Sequence, residues 1–234
     1  MKNNKGEKEP ISALWIAAGF GLIGALAAVV IEKELIPLHN LLAGSRFSVM
    51  LPSFLAVGVI EETLKFLPLA IFIYPKKYFN KHIDGIIYFA IAGLGFGLPE
   101  NILYTLDYGS KAGLNRLILT PFFHAAITGM VGYFLIKAKL SKKNPLSIWP
   151  VLVFAVLVHS LYDFGLSSGT NLFTFISITI TLALSTNCLN LFLKAKDLDE
   201  DAGLVAVGHN SYCRSCGHNN KAHHLYCTSC GNRA

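Results

Sequence analysis

Ionisable side chains occur inside the apolar stretches of this sequence. The run VIEETLKFLPLAIFIY, residues 59–74, contains Glu61, Glu62 and Lys65. Three later apolar runs contain further polar groups, namely Glu100, His124, His159 and Asp163. A charged group at the centre of a bilayer costs roughly 2.5–3.5 kcal/mol on insertion scales. Such residues therefore indicate a functional site or a set of compensating partners.

Carboxylates and imidazoles that meet in a wet cavity are suited to activating water. A buried glutamate beside a like charge can act as a general base near neutral pH. Imidazoles can bind a metal or stabilise a developing oxyanion, and His and carboxylate ligands suit zinc. The H-E-x-x-H motif of soluble zinc proteases is absent from the sequence. Any metal site must therefore be assembled from different helices.

Each polar residue also has a structural interpretation. Glu61 and Lys65 are four residues apart and could neutralise each other as an ion pair. His124 could be a hydrogen-bonded core histidine, and His159 with Asp163 could form a polar clasp between helices. These interpretations must all hold together to explain the whole set, so a shared site is the preferred hypothesis.

The composition predicts an all-α polytopic membrane protein. The 234 residues are 53% hydrophobic and only 15% charged, and the mean hydropathy is +0.50, whereas soluble domains carry about a quarter charged residues. About 20 apolar residues span the hydrocarbon layer. Six apolar runs reach that length, at about 11–31, 47–74, 85–106, 117–138, 146–167 and 171–193. We expect the first run to remain as a helix, since no signal-peptide cleavage site follows a short apolar core.

The basic residues predict the orientation of these spans. Twelve lysines lie in the N-terminal tail and in the loops on its side, against Lys33, Arg46, Lys111 and Arg116 on the opposite side. By the positive-inside rule, both termini are predicted to be cytoplasmic in a multi-pass cell-membrane protein. The net charge of +6 is explained by this topology, so the sequence predicts no nucleic-acid partner.

The depths of Glu100, His124 and His159 agree with one another. Glu61 is deeper if its span starts at residue 47 and lies level with them if the helix begins near Pro52. Counted from the outer ends of their spans, Glu100, His124 and His159 lie roughly 9–12 Å deep at 1.5 Å of rise per residue. Asp163 shares a helical face with His159 because the two are four residues apart. Spans 2 to 5 are therefore predicted to enclose one polar site in the outer half of the bilayer, while spans 1 and 6 are expected to contribute no ionisable group.

The C-terminal residues predict a separate small domain. The predicted organisation is a tail at 1–10, a membrane domain at 11–194, a linker at 195–211 and a zinc ribbon at 212–234. Two C-x-x-C-G motifs supply four thiolates for a tetrahedral zinc ion, namely Cys213, Cys216, Cys227 and Cys230. Disulfides are the disfavoured alternative in a reducing cytoplasm. The ribbon could also recruit a cytoplasmic protein partner, and Cys188 is predicted to be a packing residue.

The run GFGLIG fits a nucleotide-binding pattern only superficially. Gly19, Gly21 and Gly24 lie inside a predicted span with no strand before them. Close packing between helices through small residues is the expected role.

Three motifs on successive spans resemble those of the PrsW family of intramembrane proteases, which is grouped with the CAAX prenyl endopeptidases and Abi proteins. They are E-E-x-x-K at residues 61–65, F-x-x-x-E at 96–100 and H-x-x-x-D at 159–163, with His124 between the last two. The resemblance covers roughly residues 50–165. It implies hydrolysis of a peptide bond in or near the membrane, as in family members that cleave a membrane-bound anti-sigma factor on its extracytoplasmic side. The family is called metallo-, yet its CAAX relatives resemble glutamate-dependent enzymes. An active-site zinc ion is therefore left open.

The preferred hypothesis is an intramembrane endopeptidase acting on a membrane-anchored protein. Glu61 is the expected general base or metal ligand, oriented by Glu62, and His124 and His159 are expected to be ligands or oxyanion stabilisers. Glu100 and Asp163 would support the imidazoles. The alternatives are a proton- or ion-coupled transporter, disfavoured because the two halves show no convincing repeat, and a silent adaptor acting through the zinc ribbon.

Overall fold

The protein forms a bundle of long helices with a small C-terminal strand pair. The structure, a computed structural model, describes residues 9–42, 46–109, 116–117, 119–167, 170–202, 204, 211–213, 215–220, 227 and 229–232. Its long helices are α1 (Ile11–Leu42), α2 (Arg46–Phe72), α3 (His82–Tyr108), α4 (Leu119–Leu140), α5 (Trp149–Ser167) and α6 (Asn171–Asp201). A 3₁₀ turn, Pro145–Ile148, leads into α5, and the strands are β1 (Ser211–Tyr212) and β2 (Asn219–Asn220).

The helices have the length and composition of membrane spans. Five stretches of the described chain qualify, Ile11–Leu35, His82–Leu106, Leu119–Leu140, Pro145–Ser167 and Asn171–Asp201. Helix α2 is 27 residues long, but its charged triad interrupts the apolar run. Large apolar side chains such as Trp15 and Leu106 point outward, as expected for a lipid-facing surface, and helices satisfy their own backbone hydrogen bonds there. The prediction of an all-α multi-pass membrane protein is confirmed.

Helix α4 lies at the centre of the bundle. Fifteen of its 22 residues are buried, and its backbone comes very close to α3. A Cβ atom added to Gly85 of α3 would lie 2.3 Å from the carbonyl oxygen of Gly132 on α4. Small residues thus let the two backbones touch, as in many membrane helix pairs.

Helix α1 packs on α3 through the GFGLIG run. A Cβ atom on Gly21 would lie 2.0 Å from the carbonyl oxygen of Ala92, and one on Gly24 would touch the Phe96 ring at 3.4 Å. No atom of the described residues lies within 4 Å of the corresponding position on Gly19. The packing role predicted for this run therefore belongs to Gly21 and Gly24.

Two helices extend beyond their apolar runs. Helix α1 continues past residue 31 to Leu42, and α6 continues to Asp201, into the predicted linker. Polar residues can prolong a helix outside the hydrocarbon layer, where hydropathy no longer marks it. The chain divides into two compact units, one comprising Glu9–Phe192 and the other including Leu193–Ala234.

Candidate active site

The charged triad of α2 is buried and internally paired. Glu61, Glu62 and Lys65 are each no more than 4% exposed. Their spacing of three and four residues places them on one helical face. The Lys65 ammonium donates to Oε2 of Glu61 at 3.2 Å and to Oε1 of Glu62 at 2.9 Å. The predicted ion pair is present, but it includes both glutamates.

Lys65 also contacts α3 and α4. Its Nζ lies 2.8 Å from Nδ1 of His124 and 4.2 Å from the centre of the Phe96 ring. Phe96 in turn packs against the imidazole of His124, with 5.4 Å between ring centres. The Phe of the F-x-x-x-E motif therefore holds both the cation and the histidine, partly through a cation–π contact.

The two partners of His124 determine its tautomer. Lysine can only donate, so Nδ1 of His124 accepts from Lys65. Its Nε2–H then donates to Oε2 of Glu100 at 2.5 Å. The imidazole is fully buried and both ring nitrogens are engaged. Glu100 on α3 thus lies level with His124 on α4, as the predicted depths required.

His159 is held from one side only. A carboxylate can only accept, so Nδ1–H of His159 donates to Oε1 of Glu62 at 2.8 Å. Nε2 lies 3.3 Å from Oε2 of Glu61 and 3.2 Å from Oδ2 of Asp163. This buried nitrogen forms no hydrogen bond within the described part of the chain. His159 and Asp163 share a helical face, and His159 also contacts both glutamates of α2.

Aromatic rings form an apolar wall behind the imidazoles. The Phe123 ring lies 5.5 Å from that of His124 and 5.3 Å from that of His159. Tyr162 stacks on Phe123 at 3.9 Å, and its hydroxyl is 2.9 Å from Oγ1 of Thr120. This wall limits the orientations of both histidines.

Sequence reasoning missed the role of Arg116, which it counted only as a loop charge. Nη2 donates to Oε1 of Glu100 at 2.6 Å and lies 3.4 Å from Oδ1 of Asp163. Burial opposes the charge of the guanidinium, but the two carboxylates outweigh burial and hold the pKa of Arg116 above its usual range. No motif marks this residue; its position directly before the predicted span of His124 was the only signal in the sequence.

The expectation that the first helix contributes no ionisable group is wrong. Glu32 lies on the continuation of α1 beyond the predicted span. Its carboxylate is within range of electrostatic repulsion from Glu61, Asp163 and Glu100. One of its oxygens, Oε1, is buried without a hydrogen bond among the described residues. Glu32 therefore adds an acidic group to the edge of the site.

The site has ligand atoms and an excess of negative charge that suit a bound metal cation. Single ligand atoms of Glu61, His124 and His159 lie within 4.8 Å of one another. Zinc–ligand bonds of about 2.0–2.2 Å place neighbouring tetrahedral ligands about 3.4 Å apart, close to the spacings of Nε2 of His159 to Glu61 and Asp163. The two cations of the site, Lys65 and Arg116, pair with four carboxylates, which belong to Glu61, Glu62, Glu100 and Asp163. A divalent ion would balance the remaining negative charge.

The C-terminal cysteines form a second cluster. Sγ of Cys213 lies 3.6 Å from that of Cys230, and Cys216 and Cys227 are 3.5 Å apart. These distances exceed the 2.05 Å of a disulfide, and all four sulfurs lie within 4.8 Å of one another.

The glycines that follow the two cysteine pairs have matching hydrogen bonds and backbone angles. The N–H of Gly217 donates to the carbonyl of Cys213, and that of Gly231 donates to Cys227. Both glycines have positive φ, at 71° and 75°, which favours glycine. The Ser215 N–H lowers the pKa of the Cys213 thiol. A Cys₄ cluster able to bind a metal is therefore present, as the spacing predicted.

Comparison with known proteins gives a consistent result. The sequence profile of a family described as PrsW family intramembrane metalloprotease matches residues 9–186. Protease PrsW of Bacillus subtilis (strain 168) is 39% identical over 144 residues, which are 61% of this chain and 62% of that protein. Protease PrsW of Halalkalibacterium halodurans is 34% identical over 181 residues, 76% and 82% of the two chains. The Geobacillus kaustophilus protein of the same name is 30% identical over 158 residues, 67% and 68%. No solved structure shows significant similarity.

Proposed function

The chain belongs to the PrsW family of intramembrane metalloproteases, and we propose that it is an endopeptidase that hydrolyses a peptide bond in a membrane-anchored protein. The observation that carries the proposal is the convergence of Glu61, His124 and His159 within 4.8 Å. The three residues lie on three different helices, α2, α4 and α5. The pattern of apolar residues along the sequence does not predict that these helices meet at these positions. The family match supports neither the transporter nor the silent adaptor.

Glu61 is the general base that takes the proton of the attacking water. Of the two adjacent glutamates, Glu62 accepts hydrogen bonds from both Lys65 and His159. Within the described chain, Glu61 accepts only one, from Lys65, so it retains capacity to accept a proton. Peptide hydrolysis needs such a base within hydrogen-bonding reach of water.

Glu62 orients the second histidine. By accepting Nδ1–H it directs the Nε2 of His159 toward Glu61 and Asp163. A carboxylate behind a histidine also raises the basicity of the free nitrogen. His124 is held from two sides, because Glu100 accepts its Nε2–H and Lys65 donates to its Nδ1.

The residues also fit a catalytic zinc ion. Nε2 of His159 and a carboxylate oxygen of Glu61 would hold it, with Asp163 or His124 completing the set. In that case Glu61 would be a metal ligand instead of the general base. His124 would first have to give up its bond to Lys65 or to Glu100. When bound, such an ion supplies a water that ionises near neutral pH and polarises the scissile carbonyl.

The substrate is cleaved near its extracytoplasmic side. The lysine distribution supports cytoplasmic termini, and this orientation places the site in the outer half of the bilayer. A membrane-bound anti-sigma factor is the proposed type of substrate, by resemblance to the family. The Cys₄ cluster holds a structural zinc ion on the cytoplasmic side. A cytoplasmic protein partner of the zinc ribbon stays a prediction.

The test is cleavage of a single-span reporter protein in proteoliposomes. Glu61→Gln should lower the rate by at least about 10²-fold, the lower end of the usual contribution of a general base. The variant should still insert and unfold at nearly the parent temperature. Lys143→Gln, which changes an exposed loop residue, is the matched control and should cleave at the parent rate. Unchanged cleavage by Glu61→Gln would refute the assignment.

A further inference from the structure

Arg116 comes from outside the membrane spans and reaches into the site. The candidate spans on either side of it end at Leu106 and begin at Leu119. Its side chain is nevertheless only 5% exposed. The guanidinium carbon lies 4.0 Å from the centre of the Tyr104 ring, so an aromatic face supports the cation from below.

The guanidinium bridges two acids on different helices. A single nitrogen, Nη2, contacts Glu100 on α3 at 2.6 Å and Asp163 on α5 at 3.4 Å. Each acid in turn contacts one histidine: Glu100 reaches His124 at 2.5 Å and Asp163 reaches His159 at 3.2 Å. A continuous chain of polar contacts therefore runs from one imidazole to the other through Arg116.

This chain complements the one formed by Lys65. On α2, the lysine ammonium joins His124 to the glutamate pair. Arg116 joins the two acids, Glu100 and Asp163, that contact the imidazoles from α3 and α5. Without the guanidinium, Glu100 and Asp163 would be two like charges close together and largely buried, with no cation holding them against their histidines.

We propose that Arg116 is a positioning residue of the protease site, fixing His124 and His159 relative to each other by clamping Glu100 and Asp163. The inference rests on the proposed peptidase function. Arg116 touches the acids rather than the reacting atoms. Its removal should therefore lower kcat more than it changes KM. Loss of an orienting partner behind a histidine typically costs 10- to 100-fold in activity.

The experiment compares Arg116→Ala, Arg116→Lys and the exposed-loop control Lys143→Ala in the full-length protein, using the single-span reporter. Arg116→Ala should lower kcat at least about tenfold with KM changed less than about threefold. Arg116→Lys retains a cation and a donor, so it should recover part of the loss, and Lys143→Ala should match the parent. Added methylguanidinium should raise the rate of Arg116→Ala and leave Glu61→Gln inactive, a response that a loss of folding would not give.

Three results would overturn the inference. The first is parent kcat in Arg116→Ala. The second is a loss of kcat that neither the Arg116→Lys substitution nor added methylguanidinium relieves, together with a lowered unfolding temperature. If Arg116→Ala does not fold, parent kcat in a folded Arg116→Gln variant is the third. Failure of the parent protein itself to cleave the reporter would instead refute the proposed function, and the inference with it.

Discussion

Nζ of Lys65 on α2 lies 2.8 Å from Nδ1 of His124 on α4. The same ammonium pairs with both Glu61 and Glu62, so one cation holds together groups from the first motif and from the central helix. Few buried lysines are tolerated unless they are paired in this way.

Replacing Lys65 should destabilise the protein strongly. Lys65→Met removes the cation but leaves two buried carboxylates, and breaking a buried pair typically costs about 3–5 kcal/mol. We expect a lower unfolding temperature in detergent, measured by tryptophan fluorescence. Lys143→Met, at an exposed loop position, should unfold like the parent. Equal stability of the two variants would show that the lysine is not the counter-charge of the triad.

Gly21→Ala should weaken the contact between α1 and α3. The new methyl group would lie 2.0 Å from the carbonyl oxygen of Ala92, which is backbone and cannot rotate away. Overpacking of this kind costs about 1–3 kcal/mol. Gly19→Ala lies in the same helix, where no described atom is within 4 Å of the new methyl group, and should be neutral or slightly stabilising. Comparing the thermal unfolding of the two variants separates the effect of packing from that of helix propensity. Identical unfolding curves would contradict the close approach of α1 and α3 at Gly21.

Zinc content should separate the two candidate metal sites. Cys213→Ser with Cys216→Ser removes two of the four thiolates, so the purified protein should lose one zinc ion per chain by elemental analysis. Cleavage of the reporter should persist. His159→Ala should instead spare the ribbon zinc and abolish cleavage. Unchanged zinc in the double cysteine variant would exclude the ribbon as a metal site.

The orientation can be tested by labelling single introduced cysteines in intact cells. Lys111→Cys, in a predicted outer loop, should react with a membrane-impermeant maleimide. Lys143→Cys, in a predicted inner loop, should react only after permeabilisation. The lysine distribution is the physical basis for this expectation. The reverse pattern would place the site in the cytoplasmic half of the bilayer.

Features governed by local geometry could be predicted from the sequence. The apolar runs determined six helices because backbone groups in lipid must bond within their own segment. Spacings of three and four residues placed Glu61, Glu62 and Lys65 on one face, and His159 with Asp163 on another. The paired C-x-x-C-G motifs likewise determined a Cys₄ cluster, because the ligands and the turn glycines are close along the chain.

Only the tertiary structure decided which groups meet between helices. The contacts of Lys65 with His124 and of Glu62 with His159 join residues 59 and 97 positions apart. They depend on how each helix is rotated and on how closely glycines let the backbones approach, which no spacing records. The same holds for Arg116 and Glu32, which lie beyond the apolar runs and reach the site only because the bundle folds around it. Sequence thus determined the chemistry available to this protein, while packing decided which nitrogen of each histidine faces which carboxylate.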